Sequence, residues 1–191
     1  MNALIFDTET SGLPTSYKAS FSDVNAWPRI VEIAWIMIDS NFKPLSSSQF
    51  IVRPDGFEIS AGASSVHGIT TSKAKADGKP LRYVLSCLAE DLSDADLLVA
   101  HNIDFDFPVV NCEFIRSNVQ SSMSRKLRYC TMKSTVDLCN IPGNYGRPKW
   151  PKLEELYRFL FSRTFSEAHR AMHDVQATTE CYLELRRRGV A

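Results

Sequence analysis

The sequence predicts an α/β fold in which helices cover a mixed β-sheet. Two observations lead to this class. Short apolar runs typical of strands occupy the first third of the chain, and from residue 81 onward strand and helix patterns are interleaved. The 191 residues can bury one substantial core, so a single domain over residues 1–191 is the simplest organisation.

Three strands are predicted before the first long helix. An apolar run at residues 3–6 gives the first strand. After a polar loop, residues 29–39 carry apolar side chains at alternate positions, which predicts a second strand. Pro44 and a serine cluster predict a turn before a third, short strand at residues 49–53. Because the three strands are close in sequence, we expect them to pair as a meander.

Apolar residues three or four apart predict four helices in the rest of the chain. The first follows Pro80, which suits a helix entry. The second comes directly after a buried strand at residues 97–100, and Pro108 is expected in its first turn. The last two are predicted at residues 153–160 and 170–188.

The overall charge is balanced, with 22 basic and 22 acidic residues, and indicates neither a nucleic-acid binder nor a membrane-surface protein. Residues 125–152 differ from the rest of the chain: they contain seven basic residues and one acidic residue, a local net charge of +6. The rest of the chain has 15 basic and 21 acidic residues, a net charge of −6. Tyr129, Tyr145 and Trp150 lie in the same stretch. Interleaved cations and aromatic rings suit a groove for single-stranded nucleic acid, although a solvated connecting segment explains them equally well.

The cysteines and the first residues of the chain indicate the cellular compartment of the protein. The five cysteines are odd in number, widely spaced and without a Cys-x-x-Cys pair, so we expect reduced core residues. The start lacks a basic leader, and no segment approaches the ~20 apolar residues of a membrane span. We therefore expect a soluble, cytoplasmic protein.

Two acids at the end of the first apolar run, Asp7 and Glu9, are the most informative feature of the sequence. Side chains two apart on a strand point to the same face, so these carboxylates are expected side by side. Such a pair is tolerated when one carboxyl is protonated, when water reaches both, or when a hard cation such as Mg²⁺ binds their oxygens. A solvated acidic turn is the alternative.

Further acids follow other predicted elements. Asp106 comes after the strand at residues 97–100, at the kind of strand end where functional groups collect in α/β sheets. Its apolar context favours it over Asp104 as a ligand, because an unpaired charge there would be costly. Asp104 is expected instead to be an acid of the first helical turn. At the start of the last helix, His169 precedes Asp174 by five residues, which brings a base and an acid together.

These residues fall into three short motifs. They are FDTETSGL at residues 6–13, AHNIDFD at residues 100–106 and HRAMHD at residues 169–174, and VHGIT at residues 66–70 forms a further segment. In this order they closely resemble the histidine branch of the DEDD exonucleases, a DnaQ-like superfamily that includes bacterial proofreading subunits. The tyrosine branch would have Tyr where Arg170 stands. The resemblance implies an RNase H-like fold, with a central five-stranded mixed sheet flanked by helices.

The resemblance also implies the chemistry of the site. Asp7, Glu9, Asp106 and Asp174 would hold two Mg²⁺ or Mn²⁺ ions about 4 Å apart, and His169 would take the proton from water. The expected activity is a metal-dependent 3′→5′ exonuclease that releases nucleoside 5′-monophosphates from single-stranded ends. DNA is the preferred substrate, in a proofreading or repair role like that of the DNA polymerase III epsilon subunit, with a polymerase or repair protein as partner.

Five residues are candidates for substrate contacts. Thr10 would use its polar groups on the terminal nucleotide and Leu13 would wedge between bases, unless both only pack the turn. His67 would contact substrate or cap a helix. His101 and Asn102 would contact substrate or orient the second motif.

Two other functions remain open. An exoribonuclease or oligoribonuclease of the same superfamily would differ in accepting a 2′-hydroxyl. A non-catalytic, polymerase-associated subunit that binds nucleic acid would be expected to have lost an acid or the histidine, and none is missing here.

Overall fold

A five-stranded sheet lies at the centre of the protein, in the strand order β3-β2-β1-β4-β5. The structure is a computed structural model and describes residues 1–165 and 170–191. The strands are β1 (Ala3–Thr10), β2 (Ile30–Ile38), β3 (Pro44–Ile51), β4 (Leu97–Ala100) and β5 (Leu127–Cys130). The α-helices of the described residues are α1 (Ala61–His67), α2 (Thr71–Asp77), α3 (Leu81–Asp94), α4 (Ile103–Arg116), α5 (Val136–Cys139), α6 (Leu153–Phe161) and α7 (Ala171–Arg187).

The sheet is mixed, as predicted. β1, β2 and β3 pair antiparallel and form the expected meander. β4 runs parallel to β1, and β5 runs parallel to β4. The end of β1, the start of β2 and the end of β3 therefore lie at the same edge of the sheet.

The two faces of the sheet pack against different helices. Ala3 and Ile5 belong to an apolar cluster with α7, whereas Leu4 and Phe6 belong to the larger core formed with α3 and α4. Because side chains alternate along β1, these four residues also determine the faces of Asp7, Thr8 and Glu9. The register shifts between Glu9 and Thr10.

The strands differ in length from the prediction. β1 continues to Thr10, four residues beyond the apolar run, so Asp7 and Glu9 lie inside the strand. β3 begins at Pro44 and contains the serines that predict a turn. It is an edge strand, where proline at the first position and small polar side chains are tolerated. β5 was not predicted, because its four residues show little apolar alternation and depend on pairing with β4.

Pro108 is the sixth residue of α4 rather than part of its first turn. Proline has no N–H, so the carbonyl of Asp104 loses its helical partner. Asp104 is exposed at the helix start, where solvent can take that place.

All five cysteines are free, as expected, but only Cys112 and Cys181 are buried in the core, and the other three are partly exposed. In the part of the chain that the structure describes, every helix is too short or too polar to cross a membrane.

Candidate active site

Three carboxylates meet at the end of β1. Asp7 and Glu9 project from the same face as Ala3 and Ile5, which is the face covered by α7. Asp174 lies in the first turn of α7. One oxygen from each of Asp7, Glu9 and Asp174 can be chosen so that all lie within 4.8 Å of one another. The structure thus brings together three of the four acids that the sequence indicates as metal ligands.

The environment of these carboxylates opposes their ionisation. Burial raises the pKa of Asp7 well above its ordinary value, and the negative charges of Asp106 and Asp174 raise it further. Burial likewise raises the pKa of Glu9 from 4.5 to about 8, with Asp174 and Glu32 adding to the effect. Carboxylates held this closely need protons or a cation to relieve their repulsion.

Asp106 approaches from the opposite side of the sheet. It is 3% exposed on α4 and accepts hydrogen bonds from the Thr8 amide (3.0 Å) and the Thr8 hydroxyl (2.7 Å). Burial raises its pKa to about 7 even though the Thr8 hydrogen bonds act in the opposite direction. Asp106 lies outside the 4.8 Å group, but among the neighbouring charges it has the largest effect on the pKa of Asp7. Asp104 is exposed and pairs with Lys133.

A buried ion pair fixes the start of α7 beside this cluster. Glu32 of β2 lies opposite Glu9 in the sheet register and has no exposed surface. Its carboxylate accepts hydrogen bonds from Arg170 Nη2 (2.9 Å) and Nε (3.2 Å), and from the Ala171 amide (3.1 Å). Gln49 donates a fourth, at 2.9 Å. Although burial alone would raise the pKa of Glu32, the hydrogen bonds from Arg170 and Ala171 lower it.

Arg170 is therefore the point where the last motif attaches to the sheet. It is the N-cap residue of α7, and its carbonyl accepts the Asp174 amide at 3.1 Å. His169, the predicted base, precedes it directly in sequence but lies outside the described residues.

A cavity of about 540 Å³, here called the Leu13 cavity, opens beside Glu9. Leu13 is 77% exposed on its wall, and Phe105 faces it from α4. The Thr10 hydroxyl donates to the Gly12 carbonyl at 2.7 Å, so it stabilises the turn that carries Leu13. Of the two predicted residues, Leu13 presents the larger free surface.

His67 lines the Leu13 cavity but has a structural role in it. Its Nδ1 accepts the Ile69 amide at 3.1 Å, so Nε2 carries the hydrogen that faces the Thr10 carbonyl at 3.3 Å. Burial lowers its pKa, which favours the neutral ring. His67 thus ties α1 to the end of β1.

A second cavity, of about 400 Å³ and here called the Trp150 cavity, adjoins Asp7 and Asp174. Trp150, 61% exposed, and Lys152 lie on its wall, so the end of the basic and aromatic stretch reaches the carboxylates. Not all of its charge is available, because other lysines of the stretch are paired: Lys133 with Asp104, and Lys149 with Glu155.

His101 and Asn102 also line the Trp150 cavity. Both ring nitrogens of His101 have protein partners, the Thr131 hydroxyl and the Pro151 carbonyl, each at 3.0 Å. Burial lowers the pKa of His101 to about 4, so the ring is neutral near pH 7. Asn102 adopts a left-handed backbone (φ 74°) before α4, a conformation that asparagine tolerates better than most residues. Both residues shape the second motif.

Sequence reasoning missed the importance of Glu32. A signal was available, since a charge between Val31 and Ile33 in a buried strand requires a partner. The sequence also did not indicate Phe105, because the apolar residues around it do not show which side chain lines the Leu13 cavity.

Comparisons with known proteins identify relatives of this chain. The model of the exonuclease family RNase T matches residues 4–182. DNA polymerase III PolC-type proteins of Listeria innocua and Listeria monocytogenes are 26% identical over 174 residues, which is 91% of this chain and 10% of each relative. The chain thus spans about a tenth of the length of these curated relatives.

Solved structures share the fold. E. coli Exonuclease I in complex with a dT13 oligonucleotide superposes with a TM-score of 0.78 at 22% identity, over 98% of this chain and 41% of that one. A product-bound exonuclease I superposes with a TM-score of 0.76 at 20% identity, over 99% of this chain and 44% of that one. The RNase H-like fold, with its five-stranded mixed sheet, is thereby confirmed. Since the family model covers most of its length, the chain belongs to the RNase T exonuclease family of DnaQ-like DEDD nucleases.

Proposed function

We propose that this protein is a metal-dependent 3′→5′ exonuclease that releases nucleoside 5′-monophosphates from single-stranded DNA. The observation that carries the proposal is the meeting of Asp7, Glu9 and Asp174, whose oxygens approach within 4.8 Å at the edge of the sheet. The site opens on two cavities large enough for nucleotides, of about 540 and 400 Å³.

The donor set fits a pair of hard divalent cations, Mg²⁺ or Mn²⁺. Carboxylate oxygens are the ligands that these ions prefer. Burial and the neighbouring acids raise the pKa of Asp7 and of Glu9, and a bound cation would offset both effects by stabilising the ionised carboxylates. We assign Asp7, Glu9 and Asp174 as direct ligands and Asp106, held by Thr8, as the fourth acid. Bound ions of this kind activate water and stabilise the charge that develops on the phosphate.

The chain's own residues prepare the site for hydrolysis. The two Thr8 hydrogen bonds fix one oxygen of Asp106 and leave the other for a ligand. The Glu32–Arg170 pair holds the first turn of α7, and with it Asp174. On the basis of its sequence position, we assign to His169 the removal of a proton from the attacking water by a neutral imidazole nitrogen. Removing a general base typically slows a reaction by about 10²–10⁴.

The cavities suggest how a strand binds. The Leu13 cavity, with Leu13 and Phe105, would take the terminal nucleoside, and the Trp150 cavity would take a neighbouring base by stacking and a phosphate by Lys152. E. coli Exonuclease I, whose fold is shared, was crystallised with dT13, which supports a single-stranded DNA substrate. The PolC-type relatives support work alongside a DNA polymerase, as a proofreading activity.

The decisive experiment uses 5′-labelled DNA and RNA oligonucleotides of the same sequence with Mg²⁺. The wild type should shorten DNA from the 3′ end in single-nucleotide steps and release 5′-monophosphates. Asp7→Asn should abolish cleavage and weaken Mn²⁺ binding measured by calorimetry. The matched control is Asp104→Asn, the same substitution at an exposed acid paired with Lys133, which should retain both properties.

Other outcomes would change the assignment. Faster digestion of RNA than of DNA would replace the DNA exonuclease by an exoribonuclease. Absence of cleavage, with oligonucleotide binding and Mn²⁺ binding intact, would favour a non-catalytic subunit. Unchanged cleavage by Asp7→Asn would show that the carboxylate cluster is not the active site.

A further inference from the structure

A third cavity lies at the same end of the sheet as the carboxylates and is lined by arginines. This cavity, here called the arginine cavity, has a volume of about 570 Å³ and includes Arg29, Arg53, Arg82 and Arg116 in its wall, with Asp55 as the acid among its lining residues. No local pattern predicts this cavity, because its residues come from four separate parts of the chain.

Two of the arginines are rigidly held. Glu113 is fully buried behind the wall, and its Oε1 pairs with Arg29 Nε at 2.7 Å and with Arg116 Nη1 at 3.3 Å. Arg116 also donates to the Trp27 carbonyl at 2.6 Å, and the Arg29 guanidinium stacks on the Phe57 ring at 4.6 Å. One carboxylate thus serves two guanidinium groups, which leaves this part of the wall positively charged.

The other two arginines are exposed and add to that charge. Within residues 1–165 and 170–191, neither Arg53 nor Arg82 forms an ion pair with a carboxylate, although Arg82 donates to the Ser117 carbonyl. The backbone of Arg53 is fixed by its amide, which donates to Lys79 at 2.8 Å. Gly78 lies so close that a Cβ there would be 2.5 Å from the Arg53 nitrogen. Arg53 is therefore positioned beside the start of α3.

The chemistry of this wall suits a phosphate group. Guanidinium groups bind phosphate oxygens through two parallel hydrogen bonds. Pro54, Pro80 and Leu81 supply apolar surface next to the arginines, which fits the sugar and base of a nucleotide. The first turn of α3, at the cavity, contains no acidic residue and has no side-chain cap that would compete for the same position.

Neighbouring residues link the arginine cavity to the Leu13 cavity of the candidate active site. Arg29 precedes β2, Arg53 follows β3, and both strand ends lie at the edge where β1 ends. Arg29 and Ser11 are joined by two hydrogen bonds, at 2.9 and 3.1 Å, and Ser11 lies next to the Gly12 wall of the Leu13 cavity. The loop that begins at Arg53 reaches the Leu13 cavity at Ser60.

We propose that the arginine cavity binds a backbone phosphate of the same DNA strand whose 3′ end occupies the candidate active site. This inference rests on the proposed function, since it concerns the rest of that substrate. It predicts that a substrate long enough to reach Arg53 and Arg82 gains affinity, whereas a single nucleotide at the carboxylates does not.

The test compares a short with a long ligand in the full chain. The double variant R53Q/R82Q should hydrolyse the p-nitrophenyl ester of thymidine 5′-monophosphate at the wild-type rate. Its affinity for fluorescent dT16, measured by anisotropy with chelator to stop turnover, should fall about fivefold at 0.1 M salt. The slope of log affinity against log salt should decrease by about 0.7, the value for one lost phosphate contact on a single strand. R186Q is the matched control, because Arg186 stacks on Phe42 near the other end of α7.

The remaining outcomes are distinguishable. If the double variant binds dT16 with unchanged affinity and salt slope, the proposal is wrong. A labelled oligo-aspartate peptide that binds the wild type and not the double variant, with dT16 binding unaffected, would overturn it in favour of a protein partner. If the wild type fails to hydrolyse the ester but R53Q/R82Q still weakens dT16 binding, the proposed activity fails while the arginine cavity stands.

Discussion

Replacing Glu32 by glutamine tests whether its ion pair with Arg170 positions the acids of the candidate active site. The change keeps the size of the side chain but removes its charge, and it turns one acceptor into a donor. Four hydrogen bonds to the carboxylate are affected, from Arg170 (two), Ala171 and Gln49. We expect E32Q to fold and to lose activity.

The magnitude follows from burial. Breaking one side of a buried pair costs about 3–5 kcal/mol, but the Arg170 side chain is 41% exposed and water can partly replace the lost charge. We therefore expect a loss of about 2–3 kcal/mol in the free energy of unfolding. Because the Asp174 amide bonds to the Arg170 carbonyl, the first turn of α7 should shift. A displacement of about 1 Å can cost about 10²-fold in rate.

The assay separates positioning from stability. Rates on labelled DNA are measured well below the unfolding temperature, and kcat and KM are compared over a range of Mg²⁺ concentrations. The control is E180Q, the same substitution on α7 at a half-exposed glutamate that pairs with Arg163. This variant should lose about 0.2–1 kcal/mol in the free energy of unfolding and keep the wild-type kcat. Wild-type kcat and stability in E32Q would refute the positioning role. A drop in stability alone, with kcat unchanged, would leave the pair as a purely structural feature.

Two further predictions follow from the site. Burial raises the pKa of Glu9 to about 8 and of Asp106 to about 7, so the folded, metal-free protein binds more protons than the unfolded chain between about pH 4.5 and 8. In the presence of a chelator, the thermal unfolding temperature should therefore fall as the pH rises through this window. Saturating Mg²⁺ should remove this decline. An unfolding temperature that stays constant from pH 5 to 8 in chelator would contradict the raised pKa values. Leu13→Ala should raise KM for oligonucleotides with little effect on stability, because Leu13 is 77% exposed, and unchanged steady-state kinetics would show that the side chain does not contact substrate.

Much of the fold and the acids of the site could be predicted from local sequence. The alternation in β2 and the helical spacing after Pro80 are short-range patterns, and both elements occur where predicted. The same period of two predicts that Asp7 and Glu9 share a face of β1. Apolar context favoured the burial of Asp106 over Asp104, and the structure has Asp106 at 3% exposure and Asp104 on the surface.

The limits of the sequence are physical as well. The boundaries of β3 and the existence of β5 depend on which strands they pair with, because neither carries a strong apolar pattern of its own. The alternation along a strand assigns each side chain to one face of the sheet. Which residue it then contacts depends on how the helices pack against that face, and local sequence does not specify this packing.

The sequence by itself therefore determined the fold class, the family and the acids at the end of β1, since these depend on residues close together or on short motifs. Only the tertiary structure decided that Glu32 and Arg170, 138 positions apart, form one buried pair, and that arginines from four parts of the chain line one cavity. The physical reason is that burial and charge pairing are properties of the folded chain, and each carboxylate or guanidinium group acquires its role from neighbours that local sequence does not specify.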